Sequence, residues 1–313
     1  MREDSSQGRR GWRPNVLAII IALVGLSGLG VLLYPSTAAW WSQYHQSQAI
    51  EAYSSSVIED APPGNELELG RAREYNQLLG SGEVVVGSDS HKPTTDLERA
   101  QAIEIDGIGY WDLLLTRHDT MARLKIPSID VDLPVYHGTS DATLERGVGH
   151  LQGTSLPVGG TDTHSVLTAH TGLAKATLFN NLNKVEVGDT FTIEVFGDVV
   201  TYRVTETRTV LPSETEAIRL RSGEDLVTLV TCTPLGINTH RYLVTGERIT
   251  PTPIADIEAA SEKPDIPGFP WWALVGATGI VVVSAYVWRS GYPPKRKSTS
   301  ASTEDATAPT KGH

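Results

Sequence analysis

The chain has 313 residues, a formal net charge of −11, and 20% charged against 40% hydrophobic residues. That length is sufficient for one large core or two smaller ones, and the ordinary composition excludes a wholly disordered chain. The acidic balance excludes nucleic acid as a main partner, because binding phosphates requires clustered Lys and Arg.

Two uncharged apolar runs predict membrane-spanning helices. Residues 15–34 and 269–288 are each free of charge over 20 residues, and a helix of that length covers about 30 Å of hydrocarbon. Nine of the 26 Lys and Arg residues lie in the flanks, 1–14 and 289–313. The positive-inside rule therefore predicts a cytoplasmic N-terminus, a disordered basic cytoplasmic tail and an extracytoplasmic middle. The alternative for the first run is a cleaved signal peptide, because the small residues 36–39 follow it.

The segment 35–120 is predicted to be helical and linker-like. Apolar residues recur at helical spacing over 38–58 and 70–79. Residues 80–110 are polar and rich in Gly, Ser and Asp, which predicts a long loop that is either a linker or a lid over a site. A further short helix is predicted at 107–118.

Residues 121–250 alternate β-branched and apolar residues with polar ones, which predicts a mainly β domain. The predicted strands span 122–126, 131–136, 165–170, 190–196, 199–211, 226–232 and 241–249. Short helices are predicted near 142–146, 176–181 and 214–218. Seven or eight short strands within about 130 residues favour a closed, antiparallel, eight-stranded barrel. A linker over 251–268 would then lead to the second span.

The only cysteine, Cys232, ends a predicted strand just before Pro234 and Gly236. A lone cysteine is commonly a small buried hydrophobe. Outside the cell, however, it has no disulfide partner and is open to oxidation, and the nearby Arg241 would favour its thiolate. A thiolate with a histidine elsewhere is a candidate nucleophile and acid–base pair. Spacing alone does not choose among the available histidines, which are His137, His150, His164, His170 and His240.

Three segments, taken in chain order, resemble a known protein family, and this resemblance selects one of the histidines. The run Thr228-Leu229-Val230-Thr231-Cys232 has His170 upstream, within residues 166–172, and Arg241 downstream. With the two terminal apolar runs, this order is similar to class C sortases, the pilin polymerases of Gram-positive bacteria. The resemblance implies an eight-stranded sortase β-barrel. It also implies that Cys232 is the nucleophile, that His170 is the acid–base residue, and that Arg241 holds substrate or stabilises an oxyanion.

The activity implied is transpeptidation at an LPxTG-like sorting signal. The thiol would cleave between Thr and Gly, form a thioester, and pass the acyl group to an amine, which in a pilin polymerase is a pilin lysine. The implied partners are therefore pilins or surface proteins with such a signal, an acceptor amine and the membrane, with no cofactor. Two alternatives stay open: a wall-anchoring sortase that uses a peptidoglycan amine, and a non-catalytic membrane-tethered β domain in which Cys232 is merely buried.

Strand alternation adds an expectation that does not depend on the family. Val230 and Thr228 should share the face of Cys232, and Thr168 should share the face of His170. One feature departs from class C sortases, which usually carry an Asp-Pro-aromatic motif in a lid ahead of the barrel. No Asp in residues 60–120 is followed by Pro.

Overall fold

The computed structural model describes residues 12–59, 61–81, 96–173, 176–260, 262–264 and 266–292. Within them the helices are α1 Val16–Glu59, α2 Ala61–Ser81, α3 Asp96–Ala102, α4 Asp141–Arg146, α5 Ile254–Ala260 and α6 Trp271–Ser290. The strands are β1 Glu104–Ile105, β2 Ile108–Gly109, β3 Thr120–Ile126, β4 Val131–His137, β5 Val148–His150, β6 Thr163–Thr168, β7 Thr190–Val195, β8 Asp198–Val210, β9 Asp225–Thr233 and β10 His240–Arg248. Two compact units result: the chain ends, up to Leu33 and from Trp271, form one, and Tyr34–Pro270 form the other.

The unit formed by the chain ends contains the two apolar runs. By length and composition, α1 and α6 are each apolar enough to cross a membrane. Within this unit many of their large apolar side chains are exposed, among them Leu23 and Val281. Within this unit the Trp12 indole donates a hydrogen bond to the backbone oxygen of Trp288 at 3.1 Å.

The helices of the 35–120 segment are longer than predicted. The apolar run and the stretch 38–58 belong to one helix, α1, which continues through Pro35. The second helix begins at Ala61 instead of residue 70. Prolines 62 and 63 lie in its first turn, where backbone N–H groups have no intrahelical partner, so their missing N–H costs nothing there.

The prediction of an unbroken loop over 80–110 is wrong, because α3 and the β1–β2 hairpin lie within it. Residues 82–95, where a lid was considered, are outside the described residues. The short helix predicted at 107–118 is also wrong. Asp106 and Gly107 both have positive φ, 54° and 76°, and form the two-residue Asp-Gly turn typical of a tight β-hairpin.

Strands β3 to β10 close into an eight-stranded barrel in the order β10-β8-β7-β3-β4-β5-β6-β9, with β9 also pairing with β10. The eight-stranded barrel is confirmed. The expectation that it is antiparallel throughout is wrong, because β4 pairs in parallel with β5, and β6 in parallel with β9. Parallel neighbours need a crossover: α4 lies in the connection from β4 to β5, while β7 and β8 intervene between β6 and β9.

All seven predicted strands are present, with ends shifted by up to two residues. The eighth, β5, escaped prediction because it has only three residues, one of them Gly149. Helix α4 is confirmed, and its first turn is capped by the Ser140 hydroxyl, which accepts from the Thr143 N–H. The helix predicted at 214–218 is a 3₁₀ turn, Thr215–Ile218. The helix predicted at 176–181 is wrong: turns lead there to a 3₁₀ turn at Leu182–Lys184.

The barrel interior is filled by alternate side chains of its strands, which leaves the other face for the site and for the flanking segments. Fully buried inner residues include Leu124, Phe191, Ile193, Val227, Leu229 and Val244.

The pairing of β10 with β8 shifts register between Thr245 and Gly246, where β8 contains one extra residue, Thr205. Gly246 lies so close to Phe191 that an added Cβ would be 2.6 Å from a ring carbon. This contact fixes where β10 lies against β8.

The helical segment before the barrel is held to it by buried polar groups. The Tyr53 hydroxyl accepts from the Phe196 N–H at 2.8 Å. The Asn76 amide nitrogen donates to the backbone oxygen of Leu156 at 3.0 Å, and its oxygen accepts from the Leu156 N–H at 2.7 Å. Because the Tyr53 hydroxyl and the Asn76 amide each find a partner in the barrel, these two buried groups stabilise the contact between the segment and the barrel.

The segment after the barrel is anchored by a buried arginine on β3. Arg123 is 1% exposed and binds Asp132 through two nitrogens, both at 2.7 Å. Its third nitrogen donates to Glu194 at 3.3 Å and to the Glu262 backbone oxygen at 3.0 Å. Lys125 donates to the Ala259 backbone oxygen at 2.9 Å. Both cations therefore satisfy carbonyls at and beyond the end of α5, where the helix dipole favours positive charge.

Glu194 should make the barrel less stable as the pH rises. Burial raises its pKa to about 7 from 4.5, although Arg123 and Lys125 oppose the shift. Between those values the folded chain holds a proton that the unfolded chain has lost, so the free energy of unfolding falls as pH rises through this window, by about 2–3 kcal/mol. Glu194→Gln cannot titrate and should remove this part of the slope.

Urea unfolding of the full chain in mild detergent, at pH 5 and pH 7.5, measures the effect. The wild type should lose more stability than Glu194→Gln between the two pH values. Equal losses in the two proteins would contradict the assignment of this titration to Glu194.

Candidate active site

Strand pairing brings the three residues selected by the sequence to one row on the barrel. Strand β9 lies between β6 and β10. In the antiparallel β9–β10 pair, Cys232 is directly opposite Arg241, so their side chains lie on the same face with Cβ atoms about 5 Å apart.

His170 reaches this row from the other side of β9. In the parallel β6–β9 pair, Thr168 is level with Val230. Beyond the end of β6 the contact continues, because the Ala169 N–H donates to the Val230 oxygen at 3.1 Å and the Thr231 hydroxyl donates to the Ala169 oxygen at 2.9 Å. Two residues past Thr168, His170 is therefore level with Cys232.

All three side chains are partly accessible, which a reacting group needs. Cys232, His170 and Arg241 are each half-buried, and Cys232 is a free thiol. The Arg241 guanidinium donates from Nη1 to the backbone oxygens of Asn238 at 3.2 Å and His240 at 3.1 Å. These bonds keep a permanent positive charge at the rim that carries the thiol.

The turn after His170 is held from two directions. The Phe179 N–H donates to the His170 oxygen at 3.1 Å. The Asn180 side-chain oxygen accepts from the Gly172 N–H at 2.6 Å. Gly172 has φ +77°, and an added Cβ would come 2.5 Å from Leu235. Glycine is therefore needed at this position, and the loops on either side of Cys232 touch.

The other four histidines of residues 121–250 make hydrogen bonds elsewhere, and three of them, His137, His150 and His164, are buried. His137 bonds the Leu113 oxygen, and His150 bonds the Ser155 oxygen. Burial lowers the pKa of each to about 4, so both are neutral near pH 7. His164 bonds the Arg219 oxygen. His240 contacts the Thr239 hydroxyl and alternates to the face opposite Arg241.

Below the row of Cys232, the same face becomes apolar. The next row holds Thr168, Val230 and Leu243, and the one after it Val166, Thr228 and Thr245. Val166, Val230 and Leu243 form a small cluster of their own, separate from the barrel core. We call this cluster the floor. The prediction that Val230 and Thr228 share the face of Cys232 is confirmed.

The role of the segment that covers the floor was not predicted from the sequence. Residues 211–224, which connect β8 to β9 and which we call the wall, place Ala217 and Ile218 against the floor, and Leu151 packs beside them. The only signal in the sequence was a pair of apolar residues within a polar, charged connection. A cavity of about 1080 Å³ lies instead around Asp225 at the opposite end of β9, roughly 23 Å from Cys232 along the strand.

Comparison with known proteins agrees with this architecture. Residues 124–249 match the family model described as Sortase domain. Sortase D of Bacillus subtilis (strain 168) is 31% identical over 130 residues, which are 41% of this chain and 63% of that protein. The match thus spans less than two thirds of this relative.

Two solved structures extend the similarity over a larger share of the chain than the family model matches. Sortase C-1 from Actinomyces oris is 47% identical, covering 60% of this chain and 99% of that one, with a TM-score of 0.51. Clostridium perfringens sortase C, solved with the C-terminal cell wall sorting motif, is 35% identical over 64% of this chain and 98% of that one, with a TM-score of 0.53. The chain thus belongs to the sortase family, and the solved structures it resembles are class C sortases.

Proposed function

We propose that the chain is a membrane-anchored cysteine transpeptidase that cleaves an LPxTG-like sorting signal between Thr and Gly and joins the new acyl end to a pilin lysine. The observation that carries this proposal is the direct pairing of Cys232 with Arg241 across β9 and β10, with His170 level with them. A buried structural cysteine would need neither partner.

In the first half of the reaction, the Cys232 thiolate attacks the carbonyl carbon of the Thr–Gly peptide bond. A tetrahedral intermediate forms, and its oxygen carries the negative charge. The C–N bond then breaks, a proton from the His170 imidazolium goes to the departing glycine amine, and a thioester remains on Cys232.

In the second half, an amine attacks the thioester carbon. The now neutral His170 accepts the proton of that amine, the C–S bond breaks, and the thiolate is regenerated as the new amide forms. With a lysine amine as acceptor the product is an isopeptide bond between two protein chains. No cofactor is required, because both steps exchange only acyl groups and protons.

Arg241 would stabilise the oxyanion or hold the substrate carbonyl. Among the contacts of the described residues, only its Nη1 is engaged by loop carbonyls. The N–H groups on Nε and Nη2 can therefore be directed at the oxygen of a substrate bound to Cys232. Charged donors held in place before the reaction are effective at stabilising a developing negative charge.

The apolar floor suits the residues that precede the scissile bond. A peptide running along β9 in extended form advances about 3.3 Å per residue, so four residues span roughly 13 Å. That length corresponds to the separation of Cys232 from Thr228, with Val230 between them. The Leu and Pro of an LPxTG-like signal would therefore lie along the floor, next to Ile218 of the wall.

Anchoring in the membrane is supported by the two apolar helices and by the basic flanks. Both α1 and α6 are long and apolar enough to cross a membrane, and the Lys and Arg clusters lie outside the apolar runs. By the positive-inside rule both chain ends would be cytoplasmic, and Tyr34–Pro270 would face the exterior.

Replacing the thiol tests the enzyme proposal directly. Cys232→Ala should stay folded, because a half-buried thiol adds little to packing, but it should form no acyl-enzyme. The full chain in detergent is incubated with an LPxTG-type peptide, and intact mass spectrometry looks for the acyl adduct. A lysine peptide and a peptidoglycan-type amine are then offered as acceptors.

The wild type should form the adduct and transfer it to the lysine peptide. Transfer to the peptidoglycan-type amine alone would favour a wall-anchoring sortase. Equal product formation by Cys232→Ala would falsify the enzyme proposal and leave a tethered β domain.

The choice of histidine is tested by a comparison of single variants. His170→Ala and Arg241→Ala should lose at least about 100-fold in kcat/KM, as expected for removal of an acid–base or oxyanion group. His240→Ala should keep most of the activity, because its side chain alternates away from the row. Loss of activity in His240→Ala with His170→Ala still active would reverse the assignment.

The presence of one cysteine allows a clean test of topology. A membrane-impermeant maleimide added to intact cells should label Cys232, and Cys232→Ala should remain unlabelled. If labelling occurred only after the cells were opened, the barrel would face the cytoplasm and the proposed topology would be wrong.

A further inference from the structure

A buried histidine outside the row of Cys232 links the wall to the barrel. His164 lies on β6, on the same face as Val166, and is 2% exposed. Its Nδ1 is 2.7 Å from the backbone oxygen of Arg219 in the wall. Its Nε2 is 2.7 Å from the Thr228 hydroxyl, which in turn is 2.9 Å from the Thr245 hydroxyl. One chain of hydrogen bonds therefore joins β6, β9, β10 and the wall.

The chemistry of these partners fixes where the protons are. A carbonyl oxygen only accepts, so Nδ1 of His164 carries the hydrogen. In the neutral ring Nε2 then accepts from Thr228, whose oxygen accepts from Thr245. Burial lowers the pKa of His164, so the neutral ring is the form held at physiological pH. Every polar atom along the chain has a partner, and the geometry is specific.

This bond attaches the wall close to its contact with the floor. Arg219 directly follows the 3₁₀ turn Thr215–Ile218, whose Ile218 packs against the floor. The next hydrogen-bonded anchor along the wall is the Gly223 N–H, which donates to Asp162 at 2.6 Å.

The ion pairs of the wall are weaker restraints. Arg219 pairs with Glu216 at 3.0 Å, but both residues belong to the wall and are largely exposed. Arg221 pairs with Glu206 of β8 at 3.6 Å, with both side chains partly exposed. Pairs of this kind contribute little because water screens them.

We infer that His164 is a positioning residue for substrate: it holds Ile218 of the wall over the floor, so that the apolar residues preceding the scissile bond meet a preformed pocket. The inference rests on the proposed function for its substrate. Without this bond, the wall would have to be ordered each time a peptide binds, and that cost would appear as weaker binding. The chemical step at Cys232, several residues away, would be unaffected.

Two substitutions at His164 distinguish the hydrogen bond to the Arg219 oxygen from the hydrogen bond to the Thr228 hydroxyl. The amide nitrogen of Asn occupies the place of histidine Nδ1, so His164→Asn can still donate to the Arg219 oxygen. The amide of Gln reaches the place of Nε2, so His164→Gln keeps the contact with Thr228 and loses the wall. Asn is one methylene shorter than Gln, so lost packing alone would weaken His164→Asn more than His164→Gln, which is the reverse of the order expected from the hydrogen bonds.

Steady-state kinetics on the full chain in detergent, with an LPxTG-type peptide and a lysine acceptor, provides the first measurement. His164→Gln should raise KM for the sorting peptide roughly tenfold with kcat unchanged, the effect expected of one lost buried hydrogen bond. His164→Asn should restore most of the affinity. Equal KM values in the two variants, or a fall in kcat in place of a rise in KM, would overturn the inference.

Hydrogen exchange provides a second measurement that needs no turnover. Backbone amides of residues 214–220 should exchange faster in His164→Gln than in the wild type, and near the wild-type rate in His164→Asn. If residues 214–220 exchange at the same rate in His164→Gln as in the wild type, the wall is not held by His164. If exchange behaves as expected but no peptide is turned over by the wild type, the proposed function fails while the attachment of the wall stands.

Discussion

The parallel pairing of β6 with β9 is the constraint on which the site depends. Residues 170, 232 and 241 come from three separate strands or their extensions, and β9 is the strand that touches both others. An antiparallel β6 would end at the opposite rim and carry His170 away from Cys232. The parallel register brings the chain after β6 to the same end as the thiol, and β10, returning after a short connection, supplies Arg241.

The outer face of these three strands changes character in steps of two residues, because each step is one side chain on the same face. The row of charged and reactive groups is followed by an apolar row, and then by hydroxyl groups bonded to a buried imidazole. In the proposed function each step serves a different need: reaction at the rim, apolar contact in the middle, and attachment of a covering segment at the far end. A substrate bound in extended form would meet them in that order.

Much of this arrangement follows from local sequence, and the rest depends on contacts that sequence periodicity does not carry. The alternation of apolar and polar residues predicted seven of the eight barrel strands. The order of His170, Cys232 and Arg241 within recognisable motifs selected the candidate site. Strand β5 was missed because three residues are too few to show alternation. Parallel pairing was missed because a strand's own pattern does not identify its neighbour or their relative direction.

Errors in the connecting segments have equally physical causes. The Asp106–Gly107 turn was a hairpin signal that competed with an apolar helical pattern, and the backbone preference of glycine prevailed. His137, His150 and His164 were left open as acid–base candidates by spacing alone, yet each is buried where backbone or hydroxyl oxygens satisfy its nitrogens. The sequence gives no sign of such partners, since they lie 5 to 64 residues away.

The extra residue Thr205 in β8, together with the close approach of Gly246 to Phe191, has a consequence for how this barrel can diversify. These features set the alignment of the β10 backbone from its far end, while the connection 234–239 contributes the Asn238 carbonyl that holds the Arg241 guanidinium. A single residue inserted between 242 and 245 would turn the guanidinium toward the interior. Residues added to the connection before Asn238 would leave both the alignment and this carbonyl in place, so the rim can change in length where the strand beneath it cannot.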